Sequence, residues 1–144
     1  MASDDARRPI FRQMLAREAG TGVDAPAIAA AFRRLCENFA RQLTPLVGDA
    51  GVIAIYTRSL RLVQQQFPGL APVRTSDQDD GPFLRALRLL EHQQPVVAFE
   101  AAIALLTTVG ELLASFIGES LTTRLLREAW PDDFAGDTAE ETTT

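Results

Sequence analysis

Apolar residues along this chain recur at intervals of three and four, the spacing that places them on one face of a helix. From Arg8 to Ala19, Ile10, Phe11, Met14 and Leu15 share such a face, with Arg7, Arg8, Arg12 and Arg17 flanking it. The segment reads as a short basic amphipathic helix ending at Gly20, and one stripe of four apolar residues suits the cap of a bundle better than a membrane-surface anchor.

A second helix has explicit start chemistry. Asp24 can accept from the free amides, and Pro26 stands in the first turn, where its missing N–H costs nothing. Ile28, Phe32, Leu35, Cys36, Phe39, Leu43, Leu46 and Val47 then form one stripe, interrupted at Gly48. Asp49 can cap a third helix carrying Val52, Ile53, Tyr56, Leu60, Val63 and Phe67, stopped by Pro68-Gly69.

Residues 69–81 are rich in turn formers and carboxylates (Asp77, Asp79, Asp80) and predict a polar loop. A fourth helix follows, capped by Asp80, with Pro82 in its first turn and Phe83, Leu84, Leu87 and Leu90 as its apolar face, and it ends near His92. The segment from Pro95 to Ile117 is the most apolar of the chain. Its only charges, Glu100 and Glu111, fall on one stripe with Thr107, Thr108 and Ser115, which argues for a core helix with a thin wet edge rather than a bilayer span. Its apolar arc is wider than a surface helix needs, and the surplus predicts a dimer contact. Gly118 breaks it, and a last helix with Leu121, Leu125, Leu126 and Trp130 stops at Pro131.

The expected fold is therefore all-α: a five- or six-helix antiparallel bundle forming a single domain over residues 1–131, with the basic helix at 8–19, a core at 24–131 and a disordered acidic tail at 132–144. A shift of 70 residues lays Leu43, Leu46, Val47, Gly48 and Asp49 over Leu113, Phe116, Ile117, Gly118 and Glu119, and Leu35 and Phe39 over Leu105 and Val109. Two helix-Gly-helix hairpins related by internal duplication would produce that match, as would two unrelated amphipathic hairpins broken at glycine.

Charge and composition narrow the chemistry. Every one of the 14 basic residues is Arg, which with abundant Ala points to a GC-rich bacterial source. A single cysteine and no leader pattern make the cytoplasm the expected location, without a membrane. The net charge of −5 is unevenly spread, the first half being basic and the second acidic. An acidic chain without arginine-aromatic interleaving is a poor nucleic-acid ligand.

No catalytic, cofactor-binding or metal-ligating set emerges. Cys36 sits within an apolar stripe, where a thiol behaves as a small hydrophobe, and His92 is the only histidine. His92 as a phosphoacceptor would make the chain a phosphorelay component, although a cation near a helix C-terminus is the commoner role. Phe32, Phe39, Tyr56, Phe99 and Phe116 are the aromatic residues able to line a pocket or an interface. The function expected from these features is a helical interaction or regulatory module working through protein-protein contacts as a homodimer with an unidentified protein partner. The alternatives are a small-molecule-binding bundle with an apolar pocket and the His92 phosphorelay.

Overall fold

A computed structural model describes residues 2–20, 24–70 and 81–134, with side chains described for 7–20, 24–68, 70 and 86–134. Among the described residues there are five α-helices and no strand: α1 (Ala2–Ala19), α2 (Ala25–Gln66), α3 (Gly81–Glu91), α4 (Pro95–Ile117) and α5 (Glu119–Ala129), with a short 3₁₀ turn at Pro68–Leu70. Residues 71–80, most of the expected 69–81 loop with its Asp80 cap, and residues 135–144 of the expected tail lie outside the described residues, as do the Phe83 and Leu84 side chains.

Helix boundaries fall where the punctuation residues stand. Asp24 accepts from the Ala27 amide at 2.9 Å, Pro26 occupies the first turn of α2, and α1 ends at Gly20, whose φ of 63° lets the last turn close. α1 extends further toward the N-terminus than the apolar stripe indicates, and it carries Pro9. α2 is bent rather than continuous, because Gly48 has φ 79° and ψ 169°. That backbone region is closed to L side chains, so the helix divides there into a first arm, 25–47, and a returning arm, 49–66.

Gly118 does the same between α4 and α5, at φ 94° and ψ 159°. The first arm of α2 and α4 have equal lengths, and burial matches along them at the 70-residue offset. Leu35 and Leu105, Cys36 and Leu106, Phe39 and Val109, and Leu43 and Leu113 are all buried, whereas Leu46 and Phe116 are exposed. Past each corner, Ile55 and Leu125 are buried, as are Leu60 and Trp130.

The helices on either side of each glycine corner run antiparallel, while the two long arms run in the same direction. Ile28 lies beside Pro95, Val96 and Phe99, and further along, Phe32 and Cys36 lie beside Leu105 and Val109. Both glycine corners therefore sit at one end of the bundle. Each returning segment packs on the opposite long arm: Trp130 stacks on Phe39 of α2, and Leu60 meets Leu105 and Val109 of α4. α1 crosses α4, held by Arg7 to Glu119 at one end and by a bidentate Arg12–Glu100 pair (2.7 and 2.9 Å) at the other.

α4 is the centre of the molecule. Residues 101–110 are buried on every side, packed by α1, α2, α3 and α5. By length and composition it could cross a membrane, yet 67% of its most apolar window is buried inside the chain. The expected wet stripe is interrupted, since Thr107 and Thr108 are buried and the Thr107 hydroxyl donates to the Ile103 carbonyl at 2.8 Å. Most of the surplus apolar arc is thus covered within the monomer, although Phe116 near its end stays exposed.

The chain after α5 is packed as far as Phe134. Phe134 is buried against Phe11 (centroids 5.9 Å apart) and Trp130 (6.3 Å), and Arg17 pairs with Asp133. Packed structure therefore reaches into the first residues of the segment expected to be a tail.

Candidate functional site

Four places could bear function: the residues singled out in the sequence, an internal cavity, a groove where α1, α2 and α4 meet, and the end of the bundle at the two glycine corners. His92 follows the last turn of α3 and is exposed. Its Nδ1 donates to the Arg88 carbonyl at 2.7 Å, a helix-terminal arrangement that fixes the tautomer through that nitrogen.

The five aromatic side chains do not converge on one pocket. Phe32 and Tyr56 share an internal cavity; Phe39 is buried against Trp130; Phe99 lines the groove; Phe116 is exposed at the corner end. An aromatic cluster does exist, but it joins Phe39 to Phe11, Trp130 and Phe134, with Phe11 edge-on to Trp130 at 6.4 Å. Only the three-dimensional return of α5 brings those residues together, so periodicity within one helix carries no trace of it.

The internal cavity, of about 10 Å³, is lined by Phe32, Cys36, Tyr56, Ser59, Leu60, Ala86, Leu105 and Val109. It has room for about one water molecule. Tyr56 donates its hydroxyl to the Cys36 carbonyl at 3.3 Å, and among the described residues the buried Ser59 hydroxyl has no partner. Burial pushes both the Cys36 thiol and the Tyr56 phenol far up, because a charge there would be stripped of water. A protonated, enclosed thiol is neither nucleophile nor ligand.

The groove is larger, about 570 Å³, with Ala16, Ala19 and Gly20 on one side and Ile28, Pro95, Val96, Phe99 and Glu100 on the others. Small residues at the end of α1 leave it open. Arg12 closes its rim, with its guanidinium carbon 5.8 Å from the Phe99 ring centroid, a cation-π distance. The hydrogen bonds from Arg12 hold the Glu100 carboxyl below its ordinary range. The groove is apolar with a neutralised rim, and it offers shape rather than reactive groups.

The corner end carries the exposed apolar surface. Leu46, Ile53 and Phe116 are 50%, 53% and 67% exposed, and the half-buried Val47 and Ile117 lie beside them in the chain. Val96, 73% exposed, is at the opposite end of α4. Phe116 is one of the aromatic candidates, whereas Leu46 and Ile53 fall by spacing on apolar stripes and are nonetheless exposed. Among the described residues no group of three or more His, Cys, Asp or Glu side chains is placed to hold a metal ion. No family model, curated protein or solved structure matches this chain.

Proposed function

We propose that this chain is a helical interaction module that works in the cytoplasm through protein-protein contacts made at its corner end. Its best support is one observation: three large apolar side chains, Leu46, Ile53 and Phe116, stand at least half exposed at the end where both long arms terminate. Single exposed hydrophobes are ordinary on a protein surface, whereas three large ones toward the same end of a small bundle favour a contact region there.

The test is an interaction screen run in parallel with three baits: the native chain, the Leu46→Asp/Phe116→Asp variant and the Val96→Asp variant. Partners of the module bind the native chain and Val96→Asp and are lost from the corner variant. Partners that are indifferent to the corner substitutions would refute the reading.

The groove supports a second reading, a site for a small apolar ligand lying along Phe99 and Ile28. Its volume falls within the usual range of about 300–1,000 Å³ for such sites. A thermal-shift panel of hydrophobic ligands checks it. Stabilisation abolished by Ala16→Trp, which fills the groove, is the expected result, and a flat panel removes the reading.

A further inference from the structure

We infer that the groove between α1, α2 and α4 binds an amphipathic carboxylate, its apolar body along Ile28, Val96 and Phe99 and its head group on Arg8 and Arg12; the inference rests on the small-ligand reading of the groove and names the ligand class. Helical spacing sets up the division. Arg8, Arg12 and Ala16 follow one another at intervals of four on α1, with Ala19 close to the same edge. That edge therefore changes from basic at the rim to small inside the groove, and a ligand with one charged end and one apolar end matches the change.

The unspent polar groups here are donors. Arg12 donates to both Glu100 carboxylate oxygens, and these two groups neutralise each other. Its guanidinium keeps further N–H groups in a planar fork suited to a second carboxylate. Arg8, one turn earlier, has no ion pair among the described residues. Hydrogen bonds from Arg12 lower the Glu100 pKa most, and the nearby charge of Arg8 adds to the effect. Two guanidinium groups thus stand against one carboxylate. At the start of α4, Gln94 gives no side-chain cap and Pro95 has no N–H, so the Val96 and Val97 amides lack an acceptor within the helix.

The acceptors around the groove are already committed. The Ala16 and Arg17 carbonyls accept from the Gly20 amide at 3.1 and 3.2 Å, and the Glu18 carbonyl and carboxylate both accept from Arg34. Asp24 accepts from the Ala27 amide at the start of α2. A cationic head group would meet the charge of Arg8 with no free acceptor to offset it, whereas an anionic one supplies the acceptor that these donors lack.

Calorimetric titration of the full chain at neutral pH provides the test, with three probes of equal chain length: decanoate, 1-decanol and decylamine. Decanoate should bind at least about tenfold tighter than decanol, the worth of one hydrogen-bonded contact to a charged group, and decylamine should bind most weakly. Arg12→Gln should remove most of that preference, and because Glu100 then loses its partner, decylamine should gain on decanoate. Arg8→Gln should reduce the preference by a smaller factor, and Arg124→Gln, on α5 and outside the groove, should leave it unchanged. None of the three arginines is buried, so folding is retained, and helical dichroism checks it. Equal binding of decanoate and decanol, both lost in Ala16→Trp, overturns the carboxylate inference and leaves the small-ligand reading standing. An acid preference that survives both Arg8→Gln and Arg12→Gln overturns the assigned head-group site. Absence of binding by all three probes removes the inference and the reading together.

Discussion

Trp130 lies against Phe39, with ring centroids 5.6 Å apart and planes 25° from parallel, although 91 positions separate them along the chain. The same tryptophan meets Phe11 edge-on and Phe134 at a tilt, and next to it the Ala129 carbonyl accepts from Asn38 Nδ2 at 2.9 Å. This residue joins α1, α2 and the end of α5. Trp130→Ala should therefore cost about 3–5 kcal/mol, the range for deleting a buried large aromatic. Urea unfolding followed by dichroism checks it. A loss under about 1 kcal/mol would mean that α5 is not docked as described.

The glycine corners make a contrasting set. An alanine at Gly48 or Gly118 meets no neighbour, so any cost comes from the backbone alone, at φ 79° and 94°. Gly48→Ala and Gly118→Ala should each destabilise by about 1–3 kcal/mol. Gly110 is helical, and a Cβ there would come no nearer than 3.9 Å to the Arg7 side chain. Gly110→Ala should be neutral or stabilise by up to about 1 kcal/mol. Thermal unfolding of the three variants measures all of this, and equal effects at the three sites would contradict the bent arms.

Much of this architecture is legible in the sequence, and the reason is punctuation. Asp24 with Pro26, Gly48, Pro95, Gly118 and Pro131 each have a local effect on the backbone that does not depend on what packs nearby, so they announce helix ends directly. Partner choice has no such local signature. The stripes on α2 and α4 are equally apolar, and nothing in either tells that Trp130 returns to Phe39 and Leu60 to Val109. For the same reason the breadth of the α4 stripe suggests a spare face, although four helices of its own chain cover it. Leu46 and Ile53 were legible as helix-face residues but not as exposed ones, because exposure depends on where the corners point.

Burial of Cys36 and Tyr56 sets an alkaline limit on stability. Both pKa values are raised in the folded chain, chiefly by burial, so the folded state keeps protons that the unfolded state releases. Stability from this source is intact below the unfolded values, about 8.5 for Cys and about 10 for Tyr, and is lost as pH rises through them. Unfolding free energy should fall from about pH 8.5 upward, and Cys36→Ala should reduce the slope between about pH 8.5 and 10. At neutral pH a thiol reagent should modify Cys36 at least about 10³-fold more slowly than in the denatured chain, since reaction waits on opening. Prompt labelling of the native protein would contradict the enclosed position.

The Arg12–Glu100 pair gives the opposite pH dependence. Hydrogen bonds from Arg12 lower the Glu100 pKa, so its contribution is present above the unfolded carboxyl value and is lost as pH falls through the folded one. Both groups are substantially exposed, which limits the pair to about 1 kcal/mol or less. Glu100→Gln should destabilise by up to that amount at pH 7 and low salt, and the difference should vanish in about 1 M salt or near pH 3. A salt-independent loss of several kcal/mol would place Glu100 in a buried role that the geometry denies it.

The matching halves also make a prediction about chain order. α1 packs on α4 and α3 packs on α2, so each half supplies its leading helix to the other half. Contacts between the halves, rather than the peptide bonds joining them, then hold the arrangement together. The polar 71–80 segment links the end of one half to the start of the next. A permuted chain opened within 71–80, with its original termini joined through a flexible linker of about ten residues, should therefore fold with the same helix content and melt cooperatively. Its melting temperature should lie within about 10 °C of the native order, corresponding to a loss of no more than about 2 kcal/mol for a domain of this size. A permutant without cooperative melting would show that the halves depend on their sequence order, and that the likeness of the two corners does not extend to the contacts between them.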